Sequence, residues 1–377
     1  MGRMHICDMV RQNKTSALMS CAASEFLHGC VRTESLKEGW VRPWRLTSGQ
    51  LRALSSCQAW HPGLFRQMSR ASAGIFIEMN TDSNELAIEL GFDEQPSGTS
   101  SVLEYVPRSS IPLDGWSCEI GKRLTSPSLE SGLIGFSIPE LKKESSTATM
   151  LPLPGFGSPH NVRVWLPCLR GCTIGRIWGD GTTMEPVASR QQLLIFGDSI
   201  SQGFVAGNPA LSWPSLLAKK LGFDVVNQGI GGQVFQPTTL PGLARTIEPA
   251  AIIVEFGANY RYERCSRQEV ARDIRIYLEE LSQLWADVPC WVLTPLWHNE
   301  NVWPTNPASC FSDVPAMIAE STKAHPAMHL VEGTDLLDSD SAFFADGFEH
   351  PNAAGSEQIA VRLAKIMKPA LAGEHDI

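Results

Sequence analysis

The chain reads as a parallel α/β domain preceded by an all-β sandwich. Three observations predict this. From about Phe26 to Asp180, short strand-like runs are separated by loops rich in Pro, Gly and Ser, with little helical periodicity. Beyond Asp180 the pattern changes to apolar runs that alternate with amphipathic helical stretches, the signature of a parallel sheet covered on both faces. The chain has 377 residues; at roughly 100–200 residues per domain that is two domains.

The first residues, 1–24, follow neither period and are expected to be a disordered extension. The sandwich is expected over 25–185. Within it Ala73–Met79 and Leu86–Leu90 flank the turn-forming Asn80-Thr81-Asp82-Ser83-Asn84 and read as a hairpin. Asn161–Pro167 alternates polar and apolar residues, and Thr173–Trp178 continues in the same style. The α/β domain is expected over 186–377. Its strands are Leu193–Phe196, Phe223–Val226, Ala250–Phe256, Cys290–Leu293 and Met328–Val331. Its helices are Trp213–Leu221, Arg267–Trp285, Val314–Ala324 and Asn352–Met367.

Composition narrows the function. The 40 acidic and 31 basic side chains leave a formal charge of −9, and no Lys/Arg block occurs, which argues against nucleic acid or an anionic membrane as partner. No run approaches the roughly 18 apolar residues of a membrane span. The ten cysteines are scattered without a Cys-x-x-Cys pair, and free thiols in a reducing, cytoplasmic setting are the expectation. Thr15–Ala23 is too short and polar for the core of a secretory signal. Gly229-Ile230-Gly231-Gly232-Gln233-Val234 lacks the third glycine of a dinucleotide fingerprint, and neither Gly-x-Ser-x-Gly nor His-Glu-x-x-His occurs. No cofactor and no metal is expected.

One serine stands where chemistry is expected. In Ile195-Phe196-Gly197-Asp198-Ser199-Ile200-Ser201, Ser199 directly follows the first parallel strand, and ligands of open α/β sheets bind at the carboxyl ends of strands. Taken alone, a Gly-Asp-Ser tripeptide is equally a helix cap or a turn. Three further segments lie in order behind it: Asn227-Gln228-Gly229-Ile230-Gly231-Gly232, Gly257-Ala258-Asn259, and Asp346-Gly347-Phe348-Glu349-His350-Pro351-Asn352. Together the four resemble the blocks of the SGNH hydrolases, also called GDSL esterases. Gly39–Leu46, the hairpin and Pro159–Pro167 resemble, more loosely, the jelly-roll domain that precedes the catalytic domain in one branch of that family.

The resemblance implies a flavodoxin-like three-layer α/β/α hydrolase domain behind a jelly-roll sandwich. It implies Ser199 as nucleophile, His350 as its base and Asp346 as the carboxylate that orients the imidazole. The oxyanion donors it implies are the Ser199 N–H, the Gly232 N–H and the Asn259 amide. Those residue types are what acyl transfer needs: a hydroxyl is a poor nucleophile until a base takes its proton, and N–H donors must already face the developing oxyanion. Two departures stand out. Three residues rather than two separate Asp346 from His350, which makes Glu349 a competitor for the orienting role, and Tyr260 replaces the aspartate that commonly follows the asparagine. Trp213, Tyr260, Trp297 and His298 lie near the expected crevice and are candidate substrate contacts, packing being the alternative for each.

The expected function is hydrolysis of a small acyl ester, on a carbohydrate or another small molecule, through an acyl-enzyme. An O-acyltransferase using the same site is the alternative. A glycan-binding protein with a hydrolase domain disabled by its longer Asp–His spacing is the rival from another class.

Overall fold

The computed structural model of the chain describes residues 5–56, 68–94, 114–120, 123–125, 132–137 and 159–372. The front half contains α1 (Ile6–Arg11), α2 (Ser48–Ser56) and strands β1 (Met19–Ala22), β2 (Leu27–His28), β3 (Arg32–Ser35) and β4 (Val41–Trp44). It continues with β5 (Phe76–Thr81), β6 (Glu85–Phe92), β7 (Ser117–Ile120), β8 (Arg123–Thr125), β9 (Gly132–Ser137), β10 (His160–Trp165), β11 (Cys172–Gly179) and β12 (Met184–Pro186). One antiparallel sheet runs β3-β4-β11-β6-β9, with β1 also on β11; the other runs β12-β5-β10-β7-β8, with β2 also on β5. Their inner faces share one core, in which Ile77, Met79, Val162 and Val164 of one sheet meet Leu86, Ile88, Ile174 and Ile177 of the other. This is sandwich packing.

Two expectations for this half are corrected. The segment 1–24 is not a disordered extension where the structure describes it: α1 buries Ile6 against Ala87 and Trp178, and β1 pairs with β11 from Met19 to Ala22. Its short apolar elements are stabilised by the sheet they add to, which a local period does not register. The expected hairpin is not formed either. β5 and β6 lie in different sheets, and the turn between them is a crossing, held where Asp82 accepts the Thr182 and Thr183 N–H groups at 2.8 Å each. Alternation tells which face of a strand is buried; it does not name the pairing partner.

The second half forms one parallel sheet from β13 (Gln192–Gly197), β14 (Asp224–Asn227), β15 (Pro249–Glu255), β16 (Cys290–Leu293) and β17 (Met328–Val331), in the order β14-β13-β15-β16-β17. The helices are α3 (Ser199–Gln202), α4 (Trp213–Leu221), α5 (Arg267–Leu284), α6 (Val314–Thr322) and α7 (Ala353–Ala372). Strand β13 is buried on both faces: Leu193 and Ile195 pack toward α4 and α7, Leu194 and Phe196 toward α5 and α6. The three-layer, flavodoxin-like order expected from the sequence is present. The closing helix runs past Met367 to Ala372 and contains Pro369. The strand order reverses at β13, so its carboxyl end, between those of β14 and β15, is the topological switch point, the place where ligands of open α/β sheets generally bind.

Candidate active site

The loop after β13 is built around one glycine. A Cβ on Gly197 would lie 2.2 Å from Ser201 Oγ and 2.8 Å from the Glu255 carbonyl oxygen, so only glycine lets the chain turn there. Asp198 then caps α3, its Oδ1 accepting the Ile200 N–H at 2.9 Å. Ser199 is the first residue of that helix, at the rim of the sheet.

His350 comes from a loop folded back on itself. Phe344 bridges Pro351, the Ala345 N–H donates to the His350 carbonyl at 2.8 Å, and Gly347 takes a left-handed φ of 77°. Within this loop Asp346 Oδ1 accepts the N–H groups of Phe348, Glu349 and His350 at 3.0, 3.0 and 3.1 Å. Its other oxygen, Oδ2, is 2.5 Å from His350 Nδ1, and His350 Nε2 is 2.8 Å from Ser199 Oγ. The additional residue of the Asp–His spacing is absorbed by the left-handed turn, and hydroxyl, imidazole and carboxylate stand in one hydrogen-bonded row.

Glu349 occupies the other side of the ring. Its Oε1 lies 3.9 Å from Nε2, the nitrogen that faces the serine, so it does not compete with Asp346 for Nδ1. Instead it accepts the Tyr262 hydroxyl and pairs with Arg261 at 3.2 Å. The Phe204 ring lies 4.9 Å from the imidazole, and Phe348 is stacked on Trp303 at 5.7 Å.

Burial alone would lower the His350 pKa, but the Asp346 carboxylate and its hydrogen bond outweigh it and hold the imidazole above its ordinary value. Burial opposes ionisation of Asp346 as well; the His350 charge and hydrogen bond and the loop N–H groups overcome it and keep the carboxyl below the ordinary range. Behind the serine lies a second acidic pair. Burial pushes Glu255 up to about 8 against the Ser201 hydroxyl, which donates to it at 2.7 Å. Burial and the neighbouring Glu255 charge push Asp198 well above the carboxylate range.

The loop after β14 packs on α3. Asn227 holds it from both ends, accepting the Gly229 N–H at 2.9 Å and donating to the Ser201 carbonyl at 2.7 Å. A Cβ on Gly229 would lie 2.5 Å from the Gln202 nitrogen, and one on Gly231 would lie 3.7 Å from Ser199 Cβ. Gly232, with φ 81°, is left-handed. The glycines thus bring this backbone beside Ser199. Asn259, after β15, donates from Nδ2 to Asp198 Oδ2 at 3.1 Å and to the Gln233 carbonyl at 3.0 Å, so both amide hydrogens have acceptors in this arrangement.

The candidate substrate contacts divide. Trp213 and Tyr260 are corrected to core residues, 1% and 2% exposed. Trp213 opens α4 and packs in the layer shared with α7, while Tyr260 joins Phe235 and Phe256 on the opposite face of the sheet. Trp297 lies 5.5 Å from the Phe344 ring. His298 faces Glu300 at 2.5 Å and Phe311 at 5.2 Å. Sequence reading missed Phe204, Arg261, Tyr262 and Glu255. Only Glu255 left a signal, as an acid at the end of an otherwise apolar run.

Among the described residues, one cluster has donor atoms close enough for a cation: His28, Glu78 and Asp224. Arg190 already fills it, 2.7 Å from Glu78 and 3.0 Å from Asp224. Of the ten cysteines Cys57 lies outside the described residues; the other nine are free thiols, Cys265 and Cys310 lying 3.0 Å apart. No described helix is long and apolar enough to cross a membrane.

The 2-1-3-4-5 parallel sheet carries the serine, glycine, asparagine and Asp–His loops along its carboxyl edge, the arrangement that the resemblance to the SGNH hydrolases implies. Residues 195–358 match the family model described as GDSL-like lipase/acylhydrolase. No curated protein sequence matches the chain. Among solved structures it is similar to a salicylyl-acyltransferase from a tetracycline biosynthetic pathway, with a TM-score of 0.69 and 16% identity over 95% of this chain and 98% of the other. A family two carbohydrate esterase from Cellvibrio japonicus has a TM-score of 0.59 and 12% identity over 94% and 98%. An acetyl xylan esterase from the rumen bacterium Butyrivibrio proteoclasticus has 0.57 and 14% over 95% and 99%. At such identities the likeness is one of fold, and it spans the sandwich as well as the hydrolase domain.

Proposed function

We propose that the chain is a serine esterase acting on a small acyl ester, with a carbohydrate as the alcohol. The observation that carries this reading is the row Ser199 Oγ, His350 Nε2 and Nδ1, Asp346 Oδ2, with contacts of 2.8 and 2.5 Å. Ser199 attacks the ester carbonyl while His350 takes its proton; Asp346 holds the ring and stabilises the imidazolium. The charge that develops on the carbonyl oxygen meets the N–H groups of Ser199 and Gly232. Asn259 joins them by exchanging its bond to the Gln233 carbonyl for one to the oxyanion. His350 then returns the proton to the departing alcohol. Water, activated by the same imidazole, releases the acid and frees the serine. Carbohydrate as substrate is supported by the family two esterases that share the two-domain layout, one of them described in complex with cellohexaose. The short Asp346–His350 contact weighs against a hydrolase domain disabled by its spacing.

Incubation with acetylated sugars and a chromogenic acetyl ester, with and without an added alcohol, tests the reading. Free acetate in both conditions is the expected product. Formation of a new ester with the added alcohol identifies an acyltransferase instead, and absence of turnover on the whole panel contradicts the proposal.

A further inference from the structure

Arg45 follows β4 in the sandwich half and is 1% exposed. Its guanidinium donates to four main-chain carbonyls. Two belong to its own half, Ala71 at 2.8 Å and Met68 at 2.7 Å. The other two belong to the end of β14 and the loop after it: Asn227 at 3.0 Å and Gly229 at short range. Its own carbonyl accepts the Gln228 amide at 2.7 Å, and Gln228 Oε1 in turn accepts from Gln50 at 2.7 Å. Among the described residues no carboxylate pairs with it, and burial pulls its pKa below the ordinary arginine value. A guanidinium taken out of water without a counter-charge is costly, so what it holds in place is informative.

It holds peptide planes. A trans peptide points its C=O and N–H in opposite directions. The carbonyls of Asn227 and Gly229 face Arg45, and the N–H groups on the far sides of those planes, from Gln228 and Ile230, donate to the carbonyls of Ile195 at 2.7 Å and Gly197 at 2.9 Å. These acceptors lie on β13, the strand that leads into Ser199. The next N–H, from Gly231, goes to Gln202 of α3 at 2.7 Å. Arg45 therefore grips one side of the loop whose other side is locked to the nucleophile's strand up to Ile230 and to α3 at Gly231, next to Gly232.

We propose that Arg45 is a positioning residue for acyl transfer: through the carbonyls of Asn227 and Gly229 it sets the direction of the Gly232 N–H relative to Ser199, so that the sandwich half takes part in the reaction without touching substrate. This rests on the serine-esterase reading given above. The geometry makes a directional demand that a merely stabilising contact does not. Four carbonyls in different directions need a planar fork of donors, which lysine lacks.

The test compares Arg45→Met, Arg45→Lys and Arg190→Met on a chromogenic acetyl ester, with thermal melts of each. Arg190 bridges the same two halves at the opposite, amino-terminal end of the sheet, through Glu78 and Asp224. Arg45→Met is expected to lower kcat about 100-fold with KM changed by less than about threefold, the pattern of lost transition-state donors. Arg45→Lys should restore about tenfold of that loss, and it carries the test if the methionine variant does not fold. Arg190→Met should lower Tm while kcat stays within about twofold. Wild-type kcat in both Arg45 variants overturns the proposal, as does a kcat loss in Arg190→Met that matches theirs at equal loss of Tm. An inactive wild type is a different result: it removes the esterase reading and this inference with it.

Discussion

The two halves of the molecule place their polar residues differently. In the parallel-sheet half they gather at the carboxyl edge, where Ser199, Asn259 and the Asp346–His350 loop emerge from separate elements and meet. In the sandwich half the shared core is apolar, and Arg45, Gln50, His28 and Glu78 instead face the other half. One half presents the groups proposed to react; the other bonds the loop after β14 that packs beside them. The sandwich is thus more than a covering layer, because the Arg45 side chain bonds the backbone carbonyls of Asn227 and Gly229, and Gln50 bonds the Gln228 side chain between them.

That contrast is sharpened by variants on either side. The largest effect is expected for Ser199→Ala, which removes the nucleophile and should lower kcat by roughly 10⁶ with the melting temperature unchanged, in steady-state assays. Asp346→Asn should lower kcat by about 10⁴, because the imidazole loses both its tautomer control and its counter-charge. Asn259→Ala should lower it by about 10²–10³ if the amide reaches the oxyanion, and hardly at all if it only braces Asp198. On the other side, Ile88→Ala opens a cavity in the sandwich core; a loss of about 2–5 kcal/mol in denaturant melts is expected with kcat within about twofold.

The pH dependence gives the smallest but most specific signal. In the proposed mechanism neutral His350 is the base, and its pKa is held above the ordinary histidine value, so kcat/KM should fall on acidification with a midpoint above 6.5. Asp346→Asn should move that midpoint down, since the charge that raises it is gone. For stability the two signs differ. The raised pKa of His350 contributes stability at low pH that is lost as pH rises through it. The lowered pKa of Asp346 contributes stability at neutral pH that is lost as pH falls through it.

Much of the parallel half was legible because its strands are short apolar runs bounded by turn residues, and its reacting residues sit in four recognisable segments at strand and helix ends. The sandwich was legible as a class only. Its strands alternate, but which strand pairs with which is decided by contacts far apart in sequence, and so the β5–β6 crossing looked like a hairpin. For the same reason Trp213 and Tyr260 looked like crevice residues: a position beside a motif does not fix on which face of a sheet a ring is buried. Arg45 left no local trace at all, since the two carbonyls it holds in the other half lie more than 180 residues away. The role of Glu349 depended on a left-handed glycine that turns it toward Nε2 rather than Nδ1.

The most direct measurement is covalent labelling with a fluorophosphonate probe followed by peptide mass spectrometry. One adduct per chain on the peptide containing Ser199 is expected, strongly slowed in His350→Ala and absent in Ser199→Ala. An adduct on another residue, or one that persists unchanged in Ser199→Ala, contradicts the account.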